Sequence, residues 1–231
     1  MAFMRRVIVG GAAAAVMLCM APAMGQLDRI TTRDATAALR AALEKGSLAA
    51  VATLGRVDGY FGDPRVKIPL PESLTRAESL LRRFGMGRYA DELELTLNRA
   101  AESAVPEAKQ LFVDAVRKMT VQDAKGILTG GDTAGTKYFE RVTRDKLHGR
   151  FLPIVKGATE KVGLAQRYNE YAQVAAGLGL IGQDQSNLDE YVTRKALDGL
   201  FLMVAEEEKK IRADPVSAGV SIVRKVFGAL K

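Results

Sequence analysis

LDEYVTRKALDGLFLMVAEEEKKIRAD, from Leu188 to Asp214, predicts the longest helix of the chain. Its middle, from Ala196 to Ala205, is apolar on nearly every side, which is typical of a buried helix. The apolar part is too short to span a membrane. We therefore predict a central buried helix around which the other elements pack.

Helical patterns occupy most of the chain before this segment. Apolar residues recur at helical spacing over Ile30 to Leu54, Glu72 to Phe84, Tyr89 to Ala104 and from Pro106 onward. Thr120 and Asp123 predict a capping box, and Pro153 is expected to kink or restart the helix that contains it. Pro215 is expected to start a last helix. The sequence predicts an all-α fold, a single irregular bundle of about eight to ten helices.

One segment breaks the helical pattern. From Asp58 to Pro71, alternating apolar residues and prolines predict an extended, polyproline-like segment, which we call the strap. Tyr60 and Phe61 within it are flanked by glycines. They either form an exposed aromatic tip that binds a ligand or partner, or fold back and hold the strap on the core.

The first residues have the features of a secretory signal peptide. Two arginines precede an apolar run, and small residues follow it. We predict a signal peptide over residues 1–25, cut after Ala23 or Gly25, and a single domain over residues 26–231. The mature protein is then periplasmic, with no stable membrane span. The only cysteine, Cys19, follows bulky residues inside the signal, which disfavours a lipoprotein and leaves the mature chain cysteine-free.

Composition argues against several function classes. The net charge of +7 is spread along the chain and there is no tryptophan, so we predict no nucleic-acid partner. His148 is the only histidine, which excludes a two-histidine metal site, and we expect it at a helix end. The segment from Gly130 to Lys137 lacks the residue order of a phosphate loop and predicts a helix-capping turn. The sequence therefore predicts no catalytic residues, no metal site and no cofactor.

Two charged residues interrupt the predicted central helix. Asp198 lies in the apolar run, where an unpaired carboxylate is costly, and Arg194 one turn earlier is expected to neutralise it. A preceding helix holds Tyr168 and Tyr171. With Tyr60 and Phe61, these four residues are the candidate ligand- or partner-binding positions.

Acidic residues are concentrated in two other places. Those between Asp91 and Glu102 could supply carboxylates for acid-base chemistry, but a solvated, salt-bridged helix face is expected. In the central helix, Glu206 is spaced to pair with Lys210 and Glu208 with Arg212 on the helix surface.

Four stretches of the chain resemble a bacterial family known as Domain of Unknown Function 4197. They are VKIPLPESL from Val66, MGRYADELELTLNRAAESAVPEAKQLFVDAVRKMT from Met86, ILTGGDTAGTKYF from Ile127 and KALDGLFLMVAEEEKKIRADP from Lys195. The resemblance extends from about Leu39 to Phe227. It implies an exported helical protein and implies no activity.

Three functions follow from these observations. The first is a non-enzymatic periplasmic protein that binds a small apolar or amphipathic ligand within the helical bundle, because many alanines and glycines could leave space and Ala176 to Gly182 predicts a mobile apolar loop. The alternative is an envelope interaction protein with a solid core that binds an envelope protein through the strap. A carboxylate-based hydrolase is the third.

Overall fold

A computed structural model describes residues 32–72, 74, 82–85, 87–161, 168–169 and 187–214. Regular structure within these residues is helical, with no β-strand among them, so the predicted all-α class is confirmed. Five predicted features lie wholly or largely outside the described residues. They are the signal peptide over residues 1–25, the helix from Glu72 to Phe84, the helix that holds Tyr168 and Tyr171, the loop from Ala176 to Gly182 and the helix after Pro215.

Six α-helices have both ends within the described residues. They are α1 (Thr32–Leu54), α2 (Gly87–Ala104), α3 (Ala108–Lys118), α4 (Val121–Leu128), α5 (Ala134–Thr159) and α6 (Leu188–Ala213), and a 3-10 turn over Val105–Glu107 links α2 to α3. Helix α6 packs against α1, α2 and α5. The described helices share one apolar core, and about half of the residues of α6 are buried in it, as predicted.

Helix α6 is nevertheless open to solvent along one stripe. Lys195, Asp198, Leu202 and Lys209 are exposed at helical spacing, whereas the residues between them are mostly buried. The apolar run therefore predicted burial correctly for most of the helix, and the positions of Asp198 and Leu202 are the exceptions.

Local signals set the helix ends. The capping box is confirmed, because the Asp123 N–H donates to Thr120 Oγ1 and the Thr120 N–H donates to Asp123 Oδ2, both at 3.1 Å. Helix α5 continues through Pro153 instead of restarting there. A proline has no N–H to donate to the carbonyl four residues earlier, which here is the Gly149 carbonyl. Gly149 and Pro153 are both exposed, so water can solvate this carbonyl.

The first half of the strap is folded into turns and is not extended. Hydrogen bonds run from the Gly62 N–H to the Asp58 carbonyl at 3.1 Å and from the Lys67 N–H to the Asp63 carbonyl at 2.8 Å. Gly59 allows the first turn, because a Cβ there would lie 2.3 Å from the Leu54 carbonyl oxygen. The prolines predicted extension only for the second half, where residues 67–71 have no regular structure.

Three glycines of the helices are contact points between neighbouring segments. A Cβ at Gly46 would lie 3.2 Å from Ile211 Cδ1, one at Gly135 would lie 2.3 Å from Leu43 Cδ2, and one at Gly199 would lie 2.8 Å from Tyr60 Cε1. Small residues at these positions let neighbouring segments approach α1, α5 and α6 closely. The glycine content therefore reflects close packing at these three positions.

Substituting Gly199 by alanine tests this packing. The new Cβ meets the Tyr60 ring and, at 3.2 Å, Val66 Cβ. Overpacking of this kind costs about 1–3 kcal/mol, which outweighs a helix-propensity gain of about 1 kcal/mol. We expect Gly199→Ala to lower the free energy of unfolding measured in urea. The matched control is Gly157→Ala in α5, where nothing lies within 4 Å and stability should rise. Equal stability of the two variants would contradict the packing of Tyr60 on Gly199.

Candidate functional site

Asn98 of α2 holds the second half of the strap. Its Oδ1 accepts the Ile68 N–H at 2.8 Å, and its Nδ2 donates to the Ile68 carbonyl at 2.8 Å. The amide also donates to the Glu94 carbonyl one turn earlier. Asn98 and Ile68 are both buried, so the side-chain amide replaces the pairing that a neighbouring β-strand would give.

Glu102, one turn after Asn98, holds the first half of the strap. Its Oε1 accepts the backbone N–H groups of Tyr60 and Phe61 at 3.0 and 3.2 Å. Its Oε2 accepts Arg99 Nη1 at 2.6 Å, and Arg99 Nη2 also contacts Asp58 Oδ1 at 2.8 Å. The hydrogen bond to Glu102 raises the pKa of Arg99 the most, and the hydrogen bond to Asp58 adds to this shift. A buried carboxylate and its arginine thereby fix the turns around Tyr60.

Tyr60 is buried within the core and is not at an exposed tip. Its hydroxyl donates to the Ala196 carbonyl of α6 at 2.6 Å. Burial raises the pKa of Tyr60 well above its usual value, and the carboxylates of Glu102 and Asp198 add to that shift. Tyr60 therefore holds the strap on the central helix, which was the second of the two expectations.

Phe61 lies at the edge of the same region. It is half-buried, and the Lys67 ammonium lies 4.4 Å from the centroid of its ring. Lys67 also pairs with Glu94 Oε2 of α2 at 2.9 Å. Phe61 is thus covered on one face by the strap itself, and only part of the ring is available to a partner.

Tyr168 is brought near the far end of the strap. Tyr168 is buried. It lies close enough to Tyr191 of α6 to raise the pKa of Tyr191. The Tyr191 hydroxyl donates to the Pro69 carbonyl at 3.1 Å. Burial raises the pKa of Tyr191, and the nearby Arg194 partly opposes that shift. Tyr171 lies outside the described residues.

The predicted pairing of Arg194 with Asp198 is wrong. Asp198 pairs with Arg144 of α5, and about half of its side chain is exposed. The Arg194 guanidinium lies 5.9 Å from the centroid of the Tyr191 ring. Asp198 faces solvent beside α5, so a neighbouring helix supplies its cation and no buried charge needs neutralising. An exposed pair of this kind contributes little to stability.

The turn over residues 55–58 is the exposed end of this arrangement. Val57 is 73% exposed, and Arg56 and Asp58 beside it are also exposed. Asp58 has a φ of +62°, a left-handed conformation that is uncommon for a residue with a side chain. Arg99 holds the Asp58 carboxylate in place at 2.8 Å. The turn is therefore a fixed surface that presents an apolar side chain to solvent.

The capping turn before α5 binds a carboxylate of the chain itself. Glu208 Oε1 accepts the Gly135 N–H at 2.9 Å, and Oε2 accepts the Thr136 N–H at 2.7 Å and the Thr136 hydroxyl at 2.8 Å. Arg212 pairs with Glu208 Oε1 at 2.8 Å and donates to the Ile127 carbonyl at 3.0 Å. The anion position at this helix start is thus filled by Glu208.

Two predicted surface pairs of α6 need correction. Glu208 does pair with Arg212, but both side chains are largely buried and not on the surface. Glu206 pairs with Lys209 at 3.0 Å, whereas Lys210 pairs with Glu207 at 2.7 Å. The partners in these last two pairs are three residues apart, in place of the four expected for Glu206.

The acidic residues of α2 do not form one site. Asp91 pairs with Arg82, Glu94 pairs with Lys67, and Glu102 is buried under the strap. Asp91, Glu94 and Glu102 are therefore each paired with a different cation. No group of three histidine, cysteine, aspartate or glutamate side chains within the described residues is placed to hold a metal ion.

His148 lies in the middle of α5 and not at a helix end, because α5 continues to Thr159. Its Nε2 lies 2.7 Å from Glu190 Oε2 of α6. Like Arg144 with Asp198, this contact joins the two longest described helices on their exposed side.

Glu102 was expected on a solvated face, but the structure buries it together with Asn98, one turn earlier. The positions of Asn98 and Glu102 along α2 indicated their burial. The two residues are four apart, and they follow directly after Leu97 and Ala101, which are also buried. Polar residues on the apolar side of an amphipathic helix need partners. Here those partners are the backbone groups of the strap.

Comparison with known proteins gives one match. Residues 29–228 match a family described as a protein of unknown function, DUF4197. The chain belongs to the DUF4197 family. No curated protein and no solved structure gives a significant match. In the described part of this DUF4197 protein, no helix is both long and apolar enough to cross a bilayer.

Proposed function

We propose that this protein is a non-enzymatic, periplasmic interaction protein that binds an envelope protein through the turn over residues 55–58 and the adjoining strap. The main support for this proposal is that buried polar groups fix the strap and the adjoining turn, and that this turn presents the exposed side chain of Val57. The strap backbone forms hydrogen bonds with the side chains of Asn98, Glu102 and Tyr191. Within the strap, the Tyr60 hydroxyl donates to the Ala196 carbonyl of α6. A surface that is already ordered loses little entropy when it binds.

The periplasmic location in this proposal follows from the signal peptide predicted over residues 1–25. An envelope partner is the corresponding choice, because an exported protein meets envelope proteins. The alternative of a ligand within the bundle has less support. Gly135 and Gly199, which could have left space, are in contact with side chains of neighbouring segments.

Site-specific photo-crosslinking in living cells tests the proposal. A photoreactive phenylalanine analogue replaces Val57, and the matched control carries it at Val121, which is 61% exposed at the start of α4. We expect a discrete protein adduct from position 57 and none of that size from position 121. Identical adducts at both positions, or no adduct at position 57, would contradict the proposal.

Native mass spectrometry of the same protein, purified gently from cells, separates the two functions. A bare chain together with a position-57 adduct supports the interaction function. A small molecule that copurifies in stoichiometric amount, without such an adduct, supports the ligand function instead.

A further inference from the structure

A cleft of about 270 Å³ lies between the end of α3, the start of α4 and the middle of α5. It is on a different part of the molecule from the strap. Ala115 and Tyr138 contribute to its lining, and both are buried. Leu111 and Val142, which are only partly buried, supply an apolar surface.

The hydroxyl groups in the lining are already used. The Tyr138 hydroxyl donates to the Ala115 carbonyl at 2.8 Å, and the Thr143 hydroxyl donates to the Phe139 carbonyl at 2.6 Å. Neither has a hydrogen left to donate to a ligand. This part of the cleft therefore offers mainly apolar contact, and specific polar recognition has to come from the charged side chains around it.

Three of these charged side chains are cations. Lys118 and Lys146 are exposed and form no ion pair with any residue in the described part of the chain. Arg141 gives one hydrogen bond to Asp123 Oδ1 at 3.0 Å, and its guanidinium lies 5.7 Å from the centroid of the Tyr138 ring. A guanidinium has five N–H groups, so Arg141 keeps donors for a ligand.

The two carboxylates of the cleft are partly occupied. Asp123 accepts from Thr120 as well as from Arg141, and these bonds keep the pKa of Asp123 low. Asp114 Oδ1 accepts the Gln110 amide at 2.9 Å. Three cations therefore face two carboxylates, and one of those carboxylates is already paired. The cleft carries a net positive charge beside an apolar surface.

A second cleft of about 380 Å³ continues from the first along α4. The two share Asp123, Tyr138 and Arg141, and the second adds Lys137, which is also exposed. Arg141 lies where the two clefts meet.

We infer that these clefts bind an amphiphilic anion, a carboxylate or phosphate group on an apolar chain. The anionic group contacts Lys118, Arg141 and Lys146, and the chain lies over Leu111 and Val142. A bare inorganic anion would leave the apolar side uncovered, and an uncharged chain would leave the two lysines unpaired. This site is independent of the strap, so it goes beyond the proposed function.

Titration calorimetry on the protein purified from cells that express the full-length sequence tests the inference. The probes are dodecanoate and dodecyl phosphate below their micelle concentrations, with dodecanol as the uncharged control. We expect saturable one-to-one binding of at least one anion and none of dodecanol. The tighter of the two anions identifies the head group. The inference would be overturned if neither anion binds saturably, or if dodecanol binds as tightly as the anions do.

Charge-reversal variants locate the site. We expect Lys118→Glu and Lys146→Glu each to weaken binding by about tenfold, as for the loss of one charge-assisted contact. The matched control is Lys109→Glu, which makes the same charge change at an exposed position of α3 outside the cleft. All three sites are on the surface, and thermal melting checks that each variant is folded. Equal weakening by Lys109→Glu would show non-specific charge attraction and would refute the site.

Discussion

Glu208→Ala is expected to lower the free energy of unfolding by about 3–5 kcal/mol, the cost of breaking a buried ion pair. The substitution removes the partner of Arg212, which is only 16% exposed. It also leaves the N–H groups of Gly135 and Thr136 at the start of α5 without an acceptor. Urea unfolding followed by circular dichroism measures the change.

The neighbouring glutamate provides the control. Glu207 pairs with Lys210 at 2.7 Å on the surface, and Glu207→Ala should change stability by about 1 kcal/mol or less. Glu208→Gln keeps an oxygen for the α5 N–H groups but loses the charge that faces Arg212, so an intermediate loss is expected. If Glu208→Ala is no more harmful than Glu207→Ala, the contact does not stabilise the fold.

Asn98→Ala is expected to have the second large effect. It leaves the N–H and carbonyl of Ile68 buried and without partners, at about 1–3 kcal/mol for each group. The strap should then become accessible to protease at residues 67–71 before the helices unfold. Limited proteolysis and urea unfolding of the same samples measure both consequences.

Gln110→Ala is the control for Asn98→Ala, because it removes an amide that forms its hydrogen bond on the exposed surface. Its stability should stay within about 0.5 kcal/mol of the parent protein. A strap that resists protease equally in both variants would show that Asn98 does not hold it.

Local patterns predicted the helices well. The apolar run of α6, the capping box at Thr120 and the proline at residue 106 each depend on neighbours within a turn or two, and all three are found in the structure. These features need no knowledge of how the helices are arranged.

Contacts between distant residues could not be predicted in the same way. Spacing along one helix paired Asp198 with Arg194, whereas Arg144 on another helix is its partner. The contacts of Asn98 with Ile68 and of Glu208 with Gly135 likewise join different segments. A hydrophobic pattern indicates which side of a helix is buried, but it does not indicate which neighbour that side meets. The sequence therefore indicated the strap as a candidate segment, but its contacts with α2 and α6 had to come from the structure.

The position of α6 along the chain has a consequence for the order of folding. This helix is the last element that the structure describes, and it packs against α1, α2 and α5, which all precede it. During synthesis the apolar faces of α1, α2 and α5 are made before the helix that covers them. Stable tertiary structure should therefore not form before residues up to about 214 have been synthesised, and the incomplete chain should stay open until then.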